Sequence, residues 1–496
     1  MASNHYDVVI VGAGLSGIGA AYHLQQNCPG KTYTILEGRD AIGGTWDLFR
    51  YPGIRSDSDM YTLGYNFKPW EGEKAIADGH TIRDYIEETA DENAIKDNIR
   101  FKRMVRKAEW DTDSATWTVT TTIGKSNRKE IFTCNFLMMC SGYYRYDKGY
   151  TPEFDGVDDF AGQLIHPQHW PEDLDYSGKK IVVIGSGATA MTLIPSLAKT
   201  ADKVTMLQRS PTYVLSMPDK DHVANLLRKY LPAGLAYTLT RIKNVSLAMF
   251  MYELSRRRPE LVKKVLRAQL KQMLGNSIDI DKHFKPSYNP WDQRLCLVPN
   301  ADLFKAIKNG KADVATDHID CFVENGIKLK SGEVLEADIV VTATGLDLVA
   351  LGGADVYVDG DKVNVGDHYS YKGMMLDGVP NAVSVIGYTN ASWTLKADLT
   401  SEYTCRLINH MDAHGYDICM PNHDVREPVT DPLLDLSSGY VQRALDKFPK
   451  QGAKAPWRVY QNYAMDLIKM RFSPVKDEHM LFYRVGELKS EARLAS

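Results

Sequence analysis

The sequence predicts an α/β fold of two Rossmann-like dinucleotide-binding domains with a helical insertion. Three observations carry that expectation. A strand–glycine turn–helix–strand unit opens the chain, the same grammar recurs about 170 residues later, and a basic helical stretch follows it. At 496 residues the chain has room for about three domains, and so for several cores without disulfide or metal support. Its 59 basic and 63 acidic side chains leave a charge of −4, whereas a nucleic-acid-binding protein shows a basic excess. The 37 glycines and 21 prolines are ordinary, which excludes collagen-like and disordered classes.

In the first unit, Asp7–Val11 is a short apolar run, with no need of alternation because parallel strands are covered on both faces. Gly12-Ala13-Gly14-Leu15-Ser16-Gly17 follows, then a helix to about Asn27, a Cys28-Pro29-Gly30 break, and Tyr33–Leu36 ending at Glu37. Gly12 permits the tight turn, Gly14 lets backbone approach a pyrophosphate, and Gly17 lets helix and strand pack closely. Free N–H groups at the helix start favour that pyrophosphate. Glu37, twenty residues past Gly17, is placed to accept from both hydroxyls of an adenosine ribose and to repel a 2′-phosphate. The unit therefore suits FAD or NAD, not NADP.

The second unit runs through Lys180–Ile184, Gly185-Ser186-Gly187-Ala188-Thr189-Ala190, a helix to about Lys199, and Val204–Leu207. Ala190 in place of a third glycine is within the fingerprint's tolerance. No acid closes this unit. Gln208-Arg209-Ser210 stands there, and a guanidinium pairs well with a 2′-phosphate, which argues for NADP; the competing reading is a plain surface arginine. Two different nucleotide sites imply electron flow from nicotinamide to flavin. Disulfide reductases of this layout need a cysteine pair soon after the first helix, where only Cys28 stands. Flavin monooxygenase chemistry needs none.

Between the units, Trp117–Thr122 and Glu130–Met139 read as strands, and the Asp/Gly/Pro-rich stretch Asp147–Gly178 as a linker. From Asp221 to Leu274 the chain turns helical and basic, with Arg256-Arg257-Arg258 and Lys263-Lys264. Such helices can lie on membranes or bind partners, but a solvated face is the expectation. Strands return at Ile327–Leu329 and Ile339–Thr342; the chain closes with helix Thr400–Asp412 and a charged, mobile tail. Seven scattered cysteines without a C-x-x-C pair read as reduced, cytoplasmic thiols with no metal-ligand spacing. Met1–Asp7 lacks Lys and Arg, so no signal peptide is expected. No apolar run approaches the roughly 18 residues of a span, although peripheral membrane contact stays open.

Three longer motifs remain. Phe160 to Pro171 reads F-x-G-x-x-x-H-x-x-x-W-P, fixed at Phe160, Gly162, His166, Trp170 and Pro171. The pattern [AG]-G-x-W-x-x-x-x-[FY]-P-[GM]-x-x-x-D runs without a gap from Gly43 through Trp46 and Tyr51-Pro52-Gly53 to Asp57. Ala343-Thr344-Gly345-Leu346-Asp347 supplies A-T-G-x-D. On these motifs the sequence resembles the type I Baeyer–Villiger monooxygenases over nearly its whole length. The runs Trp46–Asp57, Pro167–Pro171 and Gly387–Thr394 look like that family's ethionamide-activating branch.

The resemblance implies an FAD-binding domain split between 1–145 and 348–496, a 146–178 linker, and an NADP-binding domain split between 179–219 and 291–347. A 220–290 helical subdomain would ride on the NADP domain. It implies that NADPH reduces FAD and that O2 adds at the flavin C4a carbon. The anionic peroxide then converts a ketone to an ester or lactone, and its protonated form oxygenates thioethers and thioamides. Small-molecule ketones, organosulfur compounds and O2 are thus the expected partners. Arg294 matches the family's active-site cation, and Asp57 the carboxylate that orients it. The competing readings pair Arg294 with Asp292 or Asp302, and have Asp57 cap the Ser58–Leu63 turn. Gln293 stands where several relatives carry a phosphate-binding lysine, which leaves more of that grip to Arg209.

By the same resemblance, FAD contacts fall on Gly12, Gly14, Leu15, Ser16, Gly17, Glu37, Gly44, Thr45, Trp46, Asp57 and Tyr61. NADP contacts fall on Gly185, Ser186, Gly187, Ala188, Thr189, Ala190, Arg209, Ser210 and Thr344. Phe160, Gly162, His166, Trp170, Gly345 and Asp347 form a conformational linker in which His166 relays motion and transfers no proton. Tyr388, Asn390 and Trp393, after the strand-like Ala382–Ile386, are the expected substrate pocket. Met374-Met375 and Tyr143-Tyr144-Arg145-Tyr146 read as packing. The rival readings are a flavin monooxygenase limited to N- or S-oxygenation and a non-catalytic FAD-binding redox sensor.

Overall fold

A computed structural model describes residues 4–126, 128–423, 431–434 and 436–487 of the chain; the tail beyond 487 lies outside them. β1 (His5–Val11), α1 (Leu15–Asn27) and β2 (Tyr33–Leu36) make the first unit, with the two strands paired in parallel. Val8 and Ile10 enter one core and Val9 and Val11 another, so both faces of β1 are covered. A Cβ on Gly17 would lie 1.8 Å from the Gly12 carbonyl oxygen, which is why only glycine lets α1 seat against the turn. Two single-turn helices, α2 (Thr45–Leu48) and α3 (Met60–Leu63), precede α4 (Gly79–Glu92).

β3 (Ile99–Arg100), β4 (Arg103–Asp111), β5 (Thr116–Ile123) and β6 (Lys129–Met139) extend this sheet. The sequence reading has no strand at β4. A register shift between Val105 and Lys107 breaks its alternation, so Val105, Ala108 and Trp110 face inward at uneven spacing. β6 is divided in its pairing. Its first half is antiparallel to β5, and its last residues lie parallel to Ala382–Ser384.

The second sheet has five parallel strands in the order β12-β9-β8-β16-β7. These are β7 (Gln163–Ile165), β8 (Lys180–Ile184), β9 (Lys203–Gln208), β12 (Ala312–Thr316) and β16 (Ile339–Thr342). α5 (Ala188–Leu197) follows β8. The paired strands β10 (Val214–Met217) and β11 (Cys296–Pro299) flank the insertion, and β13 (Ile319–Val323), β14 (Gly326–Leu329) and β15 (Val334–Glu336) make an antiparallel meander. The expected 146–178 linker needs correction. Gln163–Ile165 pairs with Ile339–Val341 and becomes the sheet's edge strand.

The insertion comprises α6 (His222–Tyr230), α7 (Ala233–Arg257), α8 (Pro259–Leu274) and α9 (Ile280–His283); α10 (Asp302–Lys308) follows β11. It does not ride on the second domain alone. Leu270 and Leu274 of α8 belong to the second core, whereas Ala224 of α6 and Tyr237 of α7 belong to the first. Arg241, 7% exposed, reaches from α7 to donate to the Tyr61 and Gly64 carbonyls at 2.8 and 2.9 Å. Beyond the second sheet, β17 (Asp355–Val358) pairs with β4, β18 (Asp361–Lys362) continues that edge, and α11 (Trp393–His414) packs on α1.

Overpacking at the α1 turn gives a sharp test. Gly17→Ala should lower stability by about 1–3 kcal/mol or more. Gly30→Ala, where a Cβ meets nothing within 4 Å, should change it by less than about 0.5 kcal/mol. Denaturant unfolding of both variants checks the difference.

Candidate active site

One cavity of about 570 Å³ opens between the two sheets. Gly12, Gly14, Leu15 and Ser16 of the first glycine turn line it, with Glu37, Gly44, Thr45, Trp46 and Asp57. Ala188 and Thr189, at the start of α5, line the same cavity, as do Arg294, Tyr388 and Trp393. Both glycine turns thus face one space. This placement follows from topology, because ligands in open α/β sheets bind beyond the carboxyl ends of the strands.

Inside the cavity an Arg294 Nη lies 2.7 Å from an Asp57 Oδ. The carboxylate raises the Arg294 guanidinium above its ordinary value, outweighing the opposing effect of burial. The competing partners are engaged elsewhere: Asp292 pairs with Arg256 at 2.8 Å and Asp302 with Arg55 at 2.5 Å. Nor does Asp57 cap the following turn. Asp59 does, accepting from the Thr62 N–H at 3.1 Å. Arg294 is therefore a permanent cation whose ion partner, Asp57, stands in the cavity wall.

The opposite group of lining residues fits an adenine dinucleotide. Glu37 Oε2 accepts from the Ala13 N–H and Oε1 from the Arg39 N–H, each at 2.7 Å. Burial raises the Glu37 carboxyl, and those two N–H donors oppose the rise. Ribose hydroxyls would add donors where the burial is felt. α1 has no side-chain cap at Gly14, so its first N–H groups are left to an anion. Trp393 Nε1 donates to Ser16 Oγ at 2.7 Å and ties the start of α11 to this turn.

Several expected contacts lie elsewhere. Tyr61 is fully buried beneath α7 and does not line the cavity. Asn390 donates to the Gln461 carbonyl at 2.9 Å and holds a loop rather than the cavity wall. Tyr388 presents its ring, while its hydroxyl donates to Asp466 at 2.7 Å. Gly17, Gly185, Ser186, Gly187 and Ala190 shape the two turns without lining the cavity, and Arg209 and Ser210 are exposed at the end of β9. Thr344 Oγ1 donates to the Tyr150 carbonyl at 2.6 Å.

Sequence reasoning missed Tyr143, Tyr144 and Tyr146, which line the cavity. A signal was present, since the run follows the carboxyl end of β6 directly. It also missed Arg443, stacked 3.4 Å from the Tyr150 ring centroid. Burial pushes that guanidinium below its ordinary value.

The linker motifs meet in a hydrogen-bonded knot. His166 Nδ1 accepts from the Gln168 N–H at 3.2 Å, which leaves Nε2–H to donate to the Gly345 carbonyl at 3.2 Å. Gly149 packs so closely that a Cβ there would lie 1.9 Å from the His166 ring. Arg145 pairs with Asp347 at 3.0 Å, Phe160 packs on Phe322, and Trp170 is buried against Tyr176. Gly162 abuts the Asp338 carbonyl. Burial lowers the His166 pKa below its ordinary 6.5, so folding favours neutral imidazole. Its stabilising contribution is complete above pH 6.5 and is lost as pH falls through the lowered value, where the unfolded chain binds more protons. His166→Gln should flatten the acid side of the Tm–pH curve below about 6.5, as a thermal melt series would record.

The flavin-binding monooxygenase-like family model matches residues 75–353, and an NAD(P)-binding Rossmann-like domain matches residues 10–68. The chain is 55% identical over 481 residues to the FAD-containing monooxygenase EthA of Mycolicibacterium smegmatis, covering 97% of each chain. It is 51% identical to the probable FAD-binding monooxygenase AlmA of Acinetobacter baylyi, covering 93% of each. Among solved structures, a steroid monooxygenase bound to NADP matches with TM-score 0.75 at 22% identity, over 97% of this chain and 100% of that one. A cyclohexanone monooxygenase from Rhodococcus matches with TM-score 0.68 at 20% identity, over 85% and 87%. At such identity these two speak for the fold alone. By its matched span and its identity to EthA over almost the whole length, this chain belongs to the flavin-binding monooxygenase-like family.

Proposed function

We propose that this chain is an NADPH- and O2-dependent flavin monooxygenase that inserts one oxygen atom beside a ketone carbonyl, a Baeyer–Villiger oxidation, and also oxygenates thioethers and thioamides. The observation that carries the reading is the Arg294–Asp57 pair inside a cavity shared by both glycine turns. The first sheet, built from 1–145 and 348–496, takes FAD, and the second, from 179–219 and 291–347 with the edge strand Gln163–Ile165, takes NADP(H). Bound FAD, reduced by NADPH, supplies the activation of dioxygen.

The chain's own groups do the rest. N–H groups at the start of α1 receive a pyrophosphate, and Glu37 accepts from ribose hydroxyls. Arg294 offers a cation that no working pH removes, so negative charge developing on oxygen is stabilised without moving a proton. Asp57 is a positioning residue that aims the guanidinium. Tyr143, Tyr144 and Trp393 wall the cavity and limit water within it. Arg209 and Arg443 together grip a 2′-phosphate and make good the lysine that Gln293 replaces. Reduced thiols support a cytoplasmic setting, and among the described residues no helix is long and apolar enough to cross a membrane.

GC–MS of products from aliphatic, cyclic and aryl ketones, beside a thioether control, tests the reaction class. Esters or lactones are expected; sulfoxides alone would indicate a monooxygenase limited to heteroatoms. Tight FAD without substrate-stimulated NADPH oxidation would indicate a sensor. Arg294→Ala should lower ketone turnover about 10²–10³-fold with FAD retained, and Arg294→Lys should recover only part of it. Arg209→Ala should raise KM for NADPH about tenfold or more and leave KM for NADH nearly unchanged, the loss expected for one charge-assisted contact. Steady-state kinetics with both nucleotides read this directly.

A further inference from the structure

Residues 222–274 hold eleven Lys or Arg against two Asp or Glu, a surplus of +9 in a chain of −4, which leaves −13 on all other residues. Part of this charge is paired, within the segment as Arg257–Glu253 and Lys263–Glu260, and with acids outside it as Arg241–Asp398, Lys243–Asp221, Arg256–Asp292 and Arg267–Asp281. Arg228, Lys229, Arg258, Lys264 and Lys271 form no such ion pair among the described residues. The same segment is unusually apolar on its outside. Among the described residues, eleven of the twenty large apolar side chains left exposed lie on α6, α7 and α8.

α7 is inverted relative to an ordinary surface helix, which turns its apolar stripe inward. Its inward face presents Tyr237, Thr240 and Arg241 to the first domain, with Asn244 donating to Asp59 at 2.8 Å. Leu235, Leu239, Ile242 and Phe250, at helical spacing, face outward, the last two 59% and 60% exposed. On α6, which packs against α7, Leu226 and Tyr230 are likewise exposed.

From this we infer that the α6–α8 face docks the protein onto the surface of an anionic phospholipid bilayer. An apolar ridge bordered by cations matches the boundary between acyl chains and acidic headgroups. A second copy of the face is a poor occupant, because two basic faces repel each other. Nucleic acid would satisfy the charge and leave the ridge in water. The docked helix is one side chain from the catalytic cavity, since Asn244 holds Asp59 and Asp57 and Ser58 line that cavity. Apolar compounds dissolved in the bilayer therefore arrive beside it.

Co-sedimentation of the FAD-loaded protein with phosphatidylglycerol-containing vesicles tests the inference. Binding should be at least about tenfold weaker to pure phosphatidylcholine vesicles and in high salt. The double substitution Ile242→Glu, Phe250→Glu should weaken it by a similar factor, with FAD absorbance and turnover of a water-soluble substrate unchanged. Absence of pelleting with anionic vesicles overturns the inference, as does equal pelleting of the double variant. Salt-sensitive binding to duplex DNA in place of vesicles, or a dimer in light scattering that the double substitution dissociates without any vesicle binding, assigns the face to another occupant.

Discussion

Asp57 and Arg294 stand on opposite sides of the molecule's main division. One comes from the loop joining α2 and α3 beside the first sheet; the other from the strand-free segment between α9 and β11. A contact of 2.7 Å between them exists only while the two sheets keep their relative placement. If that placement slipped, the half-exposed guanidinium would lose the carboxylate that orients it. The linker knot around His166, the tie from Trp393 to Ser16 and the bridging insertion can all be read as supports of that one distance.

Much of the architecture was legible because its signals are local. Each glycine turn lies within six residues, and what Gly17 does to α1 depends only on its own lack of a side chain. The ion pair was not local. Asp57 and Arg294 are far apart in sequence, and no periodicity links them; only the family motifs brought them together. β4 escaped because a bulge destroyed its alternation, and β7 because three residues bearing Gln, Leu and Ile have no pattern until β16 pairs with them. α7 shows a deeper limit. Periodicity reveals that a helix has two faces, but it does not say which one the rest of the protein covers.

The helical insertion is anchored in both domains. α7 is pinned to the first domain through Arg241, while α8 contributes Leu270 and Leu274 to the second core. Between them lies Arg258, whose backbone is non-helical, followed by Pro259 at the first turn of α8. Any rotation of one sheet against the other that preserves both anchorages bends the chain at this junction. Arg258 and Pro259 are thus the corner at which a relative rotation of the two sheets would be absorbed.

The strand Ala382–Ser384 beside the end of β6 has a consequence for biogenesis. Val383 is buried in the first core, and the pairing closes a loop of more than two hundred residues. During synthesis the ribosome completes the whole second sheet and the insertion before that strand emerges. The earlier domain must wait with the last residues of β6 unpaired on one side, while the later one folds within it. Order of emergence and order of completion are therefore reversed, and the nucleotide turn made first is finished last. Chaperone dependence and sensitivity to C-terminal truncation should both concentrate in that interval.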